Sequence, residues 1–216
     1  MARTSTKVGV WNQALVNIGE TKLIEDAEET SEAAEICRLF WDDLLVELLG
    51  VFAWPFATTQ AALSEVGSVT RIGWERVYAL PADCVLPLAL LAEGQRIRLW
   101  GVKDRVPFEL QNAGEGLYLL TDTGPEDFDV LEYVARPQST DETDPADYVA
   151  SYSRPFVKAL SWAIGEKLAL GLRKDMALGD KCVARTQLHL AEAVAQARNA
   201  MTPDLEPETP SIAARS

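Results

Sequence analysis

Residues 31–63, SEAAEICRLFWDDLLVELLGVFAWPFATTQAAL, carry the densest apolar pattern of the chain. A hydroxyl at Thr30 or Ser31 accepts a hydrogen bond from a free backbone N–H group of a first helical turn, so the segment predicts a helix that begins there. Pro55 forces the residue before it out of helical geometry. The stretch therefore predicts a long helix that ends in an aromatic corner.

Apolar residues recur at four-residue spacing along this helix in two adjacent rows, which together form one broad buried face. Burial of such side chains contributes roughly 1.5–3 kcal/mol each before conformational entropy is subtracted. Leu39 and Val46 lie outside the two rows, which predicts that the helix is covered on more than one side. We therefore expect this helix at the centre of a helical bundle. The predicted core residues are Ile36, Phe40, Trp41, Leu44, Leu48, Trp54 and Phe56.

The polar side of the same helix is acidic. Residues 20–50 contain ten acidic and two basic residues, whereas residues 154–198 contain eight basic and four acidic ones. Such faces either remain solvated or pair with an oppositely charged surface of another subunit. The candidate acidic face consists of Glu32, Glu35, Asp42, Asp43 and Glu47.

Three further helical segments flank this region of the chain. Apolar spacing predicts a helix over residues 6–19. A row at four-residue spacing runs through Tyr148–Leu172, and Pro155 within it predicts a break near Ser151–Ser153. A last, alanine-rich helix is predicted over about Asp180–Ala200, packed as an antiparallel hairpin on its predecessor.

Between residues 69 and 134 the period of the pattern changes. Short segments of alternating β-branched or aromatic residues are separated by turn residues, which predicts a small, mostly antiparallel sheet. The segment NAGEG at 112–116 predicts a hairpin turn, and Pro81–Cys84 is expected to form a helical turn. The predicted strand segments are 69–81, 95–102, 106–111, 116–122 and 127–136.

Together these patterns predict an α+β fold, mainly a helical bundle with an inserted small antiparallel β-sheet region and an extended C-terminal tail. The bundle is assigned to residues 1–66 and 140–200, the β-rich insertion to 67–139 and the tail to 201–216. The proline-rich tail has no periodicity, so we expect it to be disordered alone and to order on a partner. Its candidate docking residues are Pro203, Leu205, Glu206, Pro207, Pro210 and Ile212.

The composition argues against several classes of protein. A net charge of -13 disfavours binding of nucleic acid through its phosphates. The three cysteines lack the spacing of a disulfide framework or zinc site, and His189, the single histidine, has no identifiable partners for a metal site or a triad. We predict no cofactor, no metal, no signal peptide and no membrane span. The acidic run Glu25, Asp26, Glu28 and Glu29 is interpreted as a solvated loop rather than a cation site.

Several short motifs then occur in a definite order. They are WNQALVNIGE at 11–20, SEAA at 31–34, Cys37 with Phe40 and Asp42, Trp54 with Phe56 and Ala57, AAL at 61–63, YALPADC at 78–84, and Tyr152 with Pro155, Phe156, Ala159 and Leu160. In this order they resemble the bacteriophage head-to-tail adaptor family, also called tail tubular protein A, over most of residues 8–200. The chain departs from the family at Asp43-Leu44-Leu45, where relatives often carry an arginine.

The resemblance implies a structural virion protein without enzymatic activity, made in the bacterial cytoplasm and located in the virion neck between capsid and tail. Such proteins form a homo-oligomeric, dodecameric ring that docks on the portal protein, receives the tail nozzle protein and extends the channel for genome packaging and DNA ejection. Double-stranded DNA passes through it without sequence-specific binding. The C-terminal tail is then expected to reach the portal. The acidic face is expected to meet either the basic helices of a neighbouring subunit or the DNA channel.

Two other functions stay open at this point. A cell-wall hydrolase associated with the phage tail requires a carboxylic acid of raised pKa beside a second carboxylate, for which Glu109 and Glu132 are the candidates. The other alternative is a generic acidic module of a different assembly.

Overall fold

The computed structural model describes residues 6–66, 73–91, 106–112, 116–124, 128, 130–137 and 147–200. These residues contain four α-helices and two small antiparallel sheets, so the predicted α+β fold is confirmed. The chain divides into two compact units. The helical unit takes in the chain up to Thr58 together with Asp83–Leu86 and Val134–Arg198, and the β-rich unit takes in Thr59–Ala82 and Pro87–Tyr133.

The helices begin and end near the predicted positions. The Ser31 side chain accepts a hydrogen bond from the N–H of Ala34 at 3.4 Å and so caps the second helix. A short 3-10 helix, Asp147–Ser151, precedes the third helix, which confirms the predicted break. The α-helices are α1 (Lys7–Asn17), α2 (Glu32–Leu49), α3 (Arg154–Leu168) and α4 (Met176–Ala200).

The centre of the bundle is α3 rather than α2, which corrects the expectation from the sequence. Helix α3 packs against both α1 and α2, and nine of its fifteen residues are buried. Only seven of the eighteen residues of α2 are buried, and Leu39 on its outer side is 70% exposed. Within the residues that the structure describes, the outer side of α2 around Leu39 is therefore uncovered.

The predicted core of residues 31–63 is confirmed in part. Side chains on the inner row of α2 and Trp54 at the corner are enclosed. The margin is only partly covered: Ile36 lies against Gly171, Phe40 lies beside Lys167, and Phe56 at the corner contacts Tyr152 and Phe156. The buried members are Trp41, Leu44, Leu48 and Trp54. The half-buried members are Ile36, Phe40 and Phe56.

The aromatic corner after α2 packs against the start of α3. The Trp54 ring stands edge-on to Phe156, with centroids 5.0 Å apart, and its indole N–H donates to the carbonyl of Leu48 at 3.0 Å. Phe56 lies 4.8 Å from Tyr152 and 5.1 Å from Phe156. Aromatic contacts of this kind contribute beyond their buried area, so the corner joins the N-terminal and C-terminal helices.

Helix α4 contacts α3 near its own start, but the predicted packing of α4 along α3 as a hairpin is not confirmed, because α3 makes its main helix contacts with α1 and α2. A Cβ atom placed on Gly165 of α3 would lie 3.6 Å from the Cys182 Sγ, and at the other end Arg198 lies 5.6 Å from the centre of the Phe52 ring. The helix begins at Met176, four residues before the predicted start, because the Asp175 carboxylate accepts a hydrogen bond from the N–H of Leu178 at 3.0 Å.

Two sheets replace the single sheet expected from the sequence. The first has the strand order β1-β7-β4 and the second has the order β2-β3-β6-β5. The predicted hairpin is confirmed as an antiparallel pairing of β5 with β6, in which Leu110 lies opposite Leu119. The strands are β1 (Thr58–Ala61), β2 (Ser64–Glu65), β3 (Arg76–Ala79), β4 (Cys84–Leu91), β5 (Glu109–Asn112), β6 (Leu117–Thr121) and β7 (Val130–Ala135).

The segment that follows Pro81 was wrongly predicted. It forms a turn and then strand β4, which begins at Cys84, in place of a helical turn. The predicted strand 95–102, residues 113–115 of the hairpin turn, residues 138–146 and the tail 201–216 lie outside the described residues.

Candidate functional site

The acidic face of α2 is present as predicted, with all five of its carboxylates exposed. Asp42 forms an ion pair with Arg136, in which Oδ2 and Nη2 are 2.9 Å apart. Both side chains are about half exposed, so this pair adds little to stability. The carboxylates of Glu35 and Asp43 on the same face remain exposed and project their charge outward.

Apolar side chains lie within this acidic face. Leu39 is 70% exposed, and Glu35 and Asp43 stand one helical turn before and after it. Val46, two turns further on, is half-buried. The face therefore combines one exposed leucine with a surrounding frame of negative charge.

Helix α4 presents a second outer face, in the part of the chain that the sequence marks as alanine-rich and basic. Leu188 is 48% exposed, and Ala184 and Ala191 lie one turn to either side of it, also exposed. Lys181 and Arg185 are exposed beside the first half of this stripe. Glu192 lies beside the second half, where its carboxylate is 2.8 Å from Nδ1 of His189. Asp180 is also exposed, one turn before Ala184, so the first half of the face carries two basic residues and one acidic residue and has a net positive charge.

A cavity of about 250 Å³ opens where α1, the acidic loop and the start of α2 meet. Two of the three carboxylates that line it already have partners: Glu20 pairs with Arg173 at 3.0 Å, and Glu29 accepts the N–H of Glu25 at 2.9 Å. The hydrogen bond from Glu25 lowers the pKa of Glu29. The lining residues are Leu15, Glu20, Lys22, Leu23, Ile24, Glu29, Ser31, Glu32, Ala33 and Leu172.

Two side chains fix the acidic loop on the helices. The Asn12 side-chain amide donates to the carbonyl of Ile24 at 2.9 Å and accepts the N–H of Ile24 at 2.8 Å. Arg38 donates to the carbonyls of Ala27 and Glu29. The backbone of the loop is thus held by the helices. Within the described part of the chain, no cluster of His, Cys, Asp or Glu is arranged to hold a metal ion.

Lys7 forms a contact that sequence reasoning missed. Its ammonium lies 5.2 Å from the ring centre of Trp11 and 5.5 Å from that of Trp41, and the two rings meet edge-on. Burial lowers the pKa of Lys7, partly offset by the carboxylates of Asp42 and Glu28. The lysine therefore joins α1 to α2 through cation–π contacts.

The two carboxylates proposed for hydrolysis lie on different sheets. Glu132 on β7 is half-buried, and burial raises the pKa of its carboxyl, although a hydrogen bond from the Gln60 side chain at 3.1 Å acts in the opposite direction. Glu109 on β5 is exposed and accepts the indole N–H of Trp74 at 2.9 Å. Of the two, Glu132 has the environment of a carboxylic acid suited to donating a proton.

The cysteines are apolar packing groups. Cys37 and Cys182 are buried and Cys84 is half-buried. Burial raises the pKa of Cys37 to about 12 and that of Cys84 to about 11, so these thiols are protonated at neutral pH. The helices of the described residues include none that is long and apolar enough to cross a membrane.

The candidate docking residues of the tail lie outside the described residues. They are Pro203, Leu205, Glu206, Pro207, Pro210 and Ile212.

Comparison of the sequence with models of known protein families gave no match, and a search among curated proteins gave none either.

Proposed function

We propose that this chain is a structural subunit of a ring in the neck of a short-tailed bacteriophage, where it joins the portal to the tail nozzle. The observation that carries the proposal is the ordered series of motifs by which the sequence resembles head-to-tail adaptors. The dodecameric ring, the DNA channel and docking of residues 201–216 on the portal belong to this proposal.

The contacts among the motif residues support treating them as one pattern. Trp54 and Phe56 come from the motif after α2, and Tyr152 and Phe156 come from the motif at the start of α3, about a hundred residues later. The structure packs these four rings into one cluster, with centroid distances between 4.8 and 5.7 Å. Because the two motifs meet in the fold, they are expected to occur together in any relative that shares it.

The charge of the chain is compatible with a channel through which DNA moves. A surface rich in Lys and Arg would hold phosphate groups and release counterions, which favours retention of DNA. This chain carries a net charge of -13, and the exposed face of α2 is acidic. A ring built from such subunits would let DNA slide because its walls repel phosphate.

The test is assembly with the portal protein of the same phage. We expect native mass spectrometry and negative-stain imaging to show a ring of this chain bound to the portal. A variant that ends at Ala200 should still fold and should bind the portal at least about tenfold more weakly if the tail supplies the docking contact. Absence of any complex between the full chain and the portal would refute the proposed function.

A second candidate is a cell-wall hydrolase: burial of Glu132 raises the pKa of its carboxyl, but Glu109, the carboxylate expected beside it, lies on the other sheet. This candidate predicts release of soluble fragments from purified peptidoglycan, and loss of that release in Glu132→Gln. Glu109→Gln is the matched variant on an exposed carboxylate. Equal release by the wild type and by heat-denatured protein would exclude the hydrolase.

A further inference from the structure

We propose that the outer face of α2 in one copy of this chain binds the outer face of α4 in the next copy. The inference rests on the proposed function, since it names the surfaces through which subunits of the ring would meet. Both faces belong to the helical unit, and both are exposed in the single chain.

The α2 face offers a leucine surrounded by negative charge. Leu39 is 70% exposed, and Glu35, Asp42 and Asp43 lie three or four residues from it, which makes them its neighbours on the helix surface. Asp42 already pairs with Arg136, so Glu35 and Asp43 are the carboxylates that a partner would meet without breaking an existing ion pair.

The α4 face offers a leucine beside positive charge. Leu188 is 48% exposed, with Arg185 three residues before it and Lys181 seven residues before it. The small side chains of Ala184 and Ala191 leave room for a second helix to approach closely. Glu192 on the other half of the stripe faces His189 at 2.8 Å, so the cationic half around Lys181 and Arg185 is the half that matches α2.

Charge complementarity determines which surface binds the outer face of α2. Two α2 faces would bring carboxylates together and repel each other, whereas an α2 face and an α4 face bring opposite charges around two leucines. Because both faces are exposed in the single chain, the α2 face and the α4 face can contact each other only between two copies. A contact between two different patches repeats from head to tail and closes into a ring when its rotation permits.

Paired charge reversals test this contact. One variant carries Glu35→Lys and Asp43→Lys, and the other carries Lys181→Glu and Arg185→Glu. Each alone should weaken self-assembly at least about tenfold, because like charges then face each other. An equal mixture of the two should restore assembly, since an alternating arrangement gives every contact opposite charges.

The controls change the charge equally at other exposed sites. Glu25→Lys with Glu75→Lys matches the first variant, and Arg154→Glu with Lys158→Glu matches the second. Assembly is measured by native mass spectrometry and sedimentation, with and without the portal protein, after circular dichroism has shown the helical content of each variant. Leu39→Ala should weaken assembly as well, whereas Leu110→Ala, at a leucine 37% exposed on β5, should not.

The outcomes separate this inference from the proposed function. If the wild type forms no oligomer in any condition, the proposed function fails and this contact fails with it. If the wild type assembles and both reversed variants assemble equally well, only the α2–α4 contact is overturned. The α2–α4 contact is also overturned if neither reversed variant assembles alone and the equal mixture of the two does not assemble either. Intact rings of the first variant that retain DNA would place the acidic face in the channel and would also overturn the contact.

Discussion

Replacement of Trp54 is expected to destabilise the helical unit more than any other single truncation at the aromatic corner. The side chain is fully buried and contacts the rings of Phe52, Phe56 and Phe156. Truncation of a buried tryptophan to alanine costs about 3–5 kcal/mol, and the three ring contacts place Trp54→Ala in the upper part of that range. Since domains of this size have a free energy of unfolding of about 5–15 kcal/mol, a large share of the stability would be lost.

Trp54→Phe separates packing from hydrogen bonding. It keeps an aromatic ring but removes the indole N–H that donates to Leu48. The Leu48 carbonyl retains the N–H of Val51 at 3.4 Å, so the loss should be about 2 kcal/mol, near the cost of one hydrogen bond plus a small volume change.

The measurement is urea unfolding followed by far-ultraviolet circular dichroism, because the substitution itself changes tryptophan fluorescence. Trp74→Ala is the matched control: this tryptophan is half-buried and its indole bonds the exposed Glu109, so we expect a smaller loss of about 1 kcal/mol. A loss below about 2 kcal/mol for Trp54→Ala, or equal losses for the alanine and phenylalanine variants, would contradict the assignment of the corner as the joint between the helices.

Three further substitutions test other parts of the fold. Gly165→Ala should stabilise the chain by about 0.5–1 kcal/mol in urea unfolding, because glycine weakens a helix and the new methyl group would make contacts no shorter than 3.6 Å. A destabilised variant would show that Ala14, Ile18 and Cys182 pack against α3 more tightly than these distances indicate. Asn12→Ala should cost about 2–3 kcal/mol, because it leaves the backbone groups of buried Ile24 without their partner, and trypsin should cleave faster at Lys22. An unchanged cleavage rate would show that the loop does not depend on Asn12. Glu132→Gln should be more stable than the wild type at neutral pH. Because burial raises the pKa of the Glu132 carboxyl in the folded chain, the wild type loses folding stability as the pH rises above the ordinary carboxyl pKa of 4.5, and the difference between the two proteins should vanish below that pH. A difference in stability that is independent of pH would contradict the burial of this carboxyl.

Local signals predicted the helices well because caps and breaks act within one or two turns. Ser31 begins α2 through its own hydroxyl, and Pro155 prevents the helix from extending back through Tyr152. The start of α4 had an equally local signal in Asp175, whose capping role was missed because the preceding Lys174 adopts a left-handed conformation with φ of 50° that nothing in its side chain predicts.

Strand β4 was missed for a reason that lies outside its own residues. Its sequence, CVLPLALL, is continuously apolar and contains Pro87, so the segment lacks the alternation of a strand and has a residue that cannot donate to a ladder. The sheet order β1-β7-β4 places β4 at an edge, where only one side needs to be paired and proline is tolerated. Pairing of this kind depends on β7, more than thirty residues later in the chain.

The amino-acid sequence alone determined the class of fold, both ends of α2, the start of α3, the hairpin of β5 and β6, and the acidic character of the α2 face, because caps, periodicity and charge depend on neighbouring residues. Only the tertiary structure decided which helix lies at the centre and which side chains remain outside. Leu39 and Leu44 look equally apolar in the sequence, yet one is 70% exposed and the other 6% exposed. The difference arises because α3 covers one side of α2 and no other element of the described chain covers the opposite side.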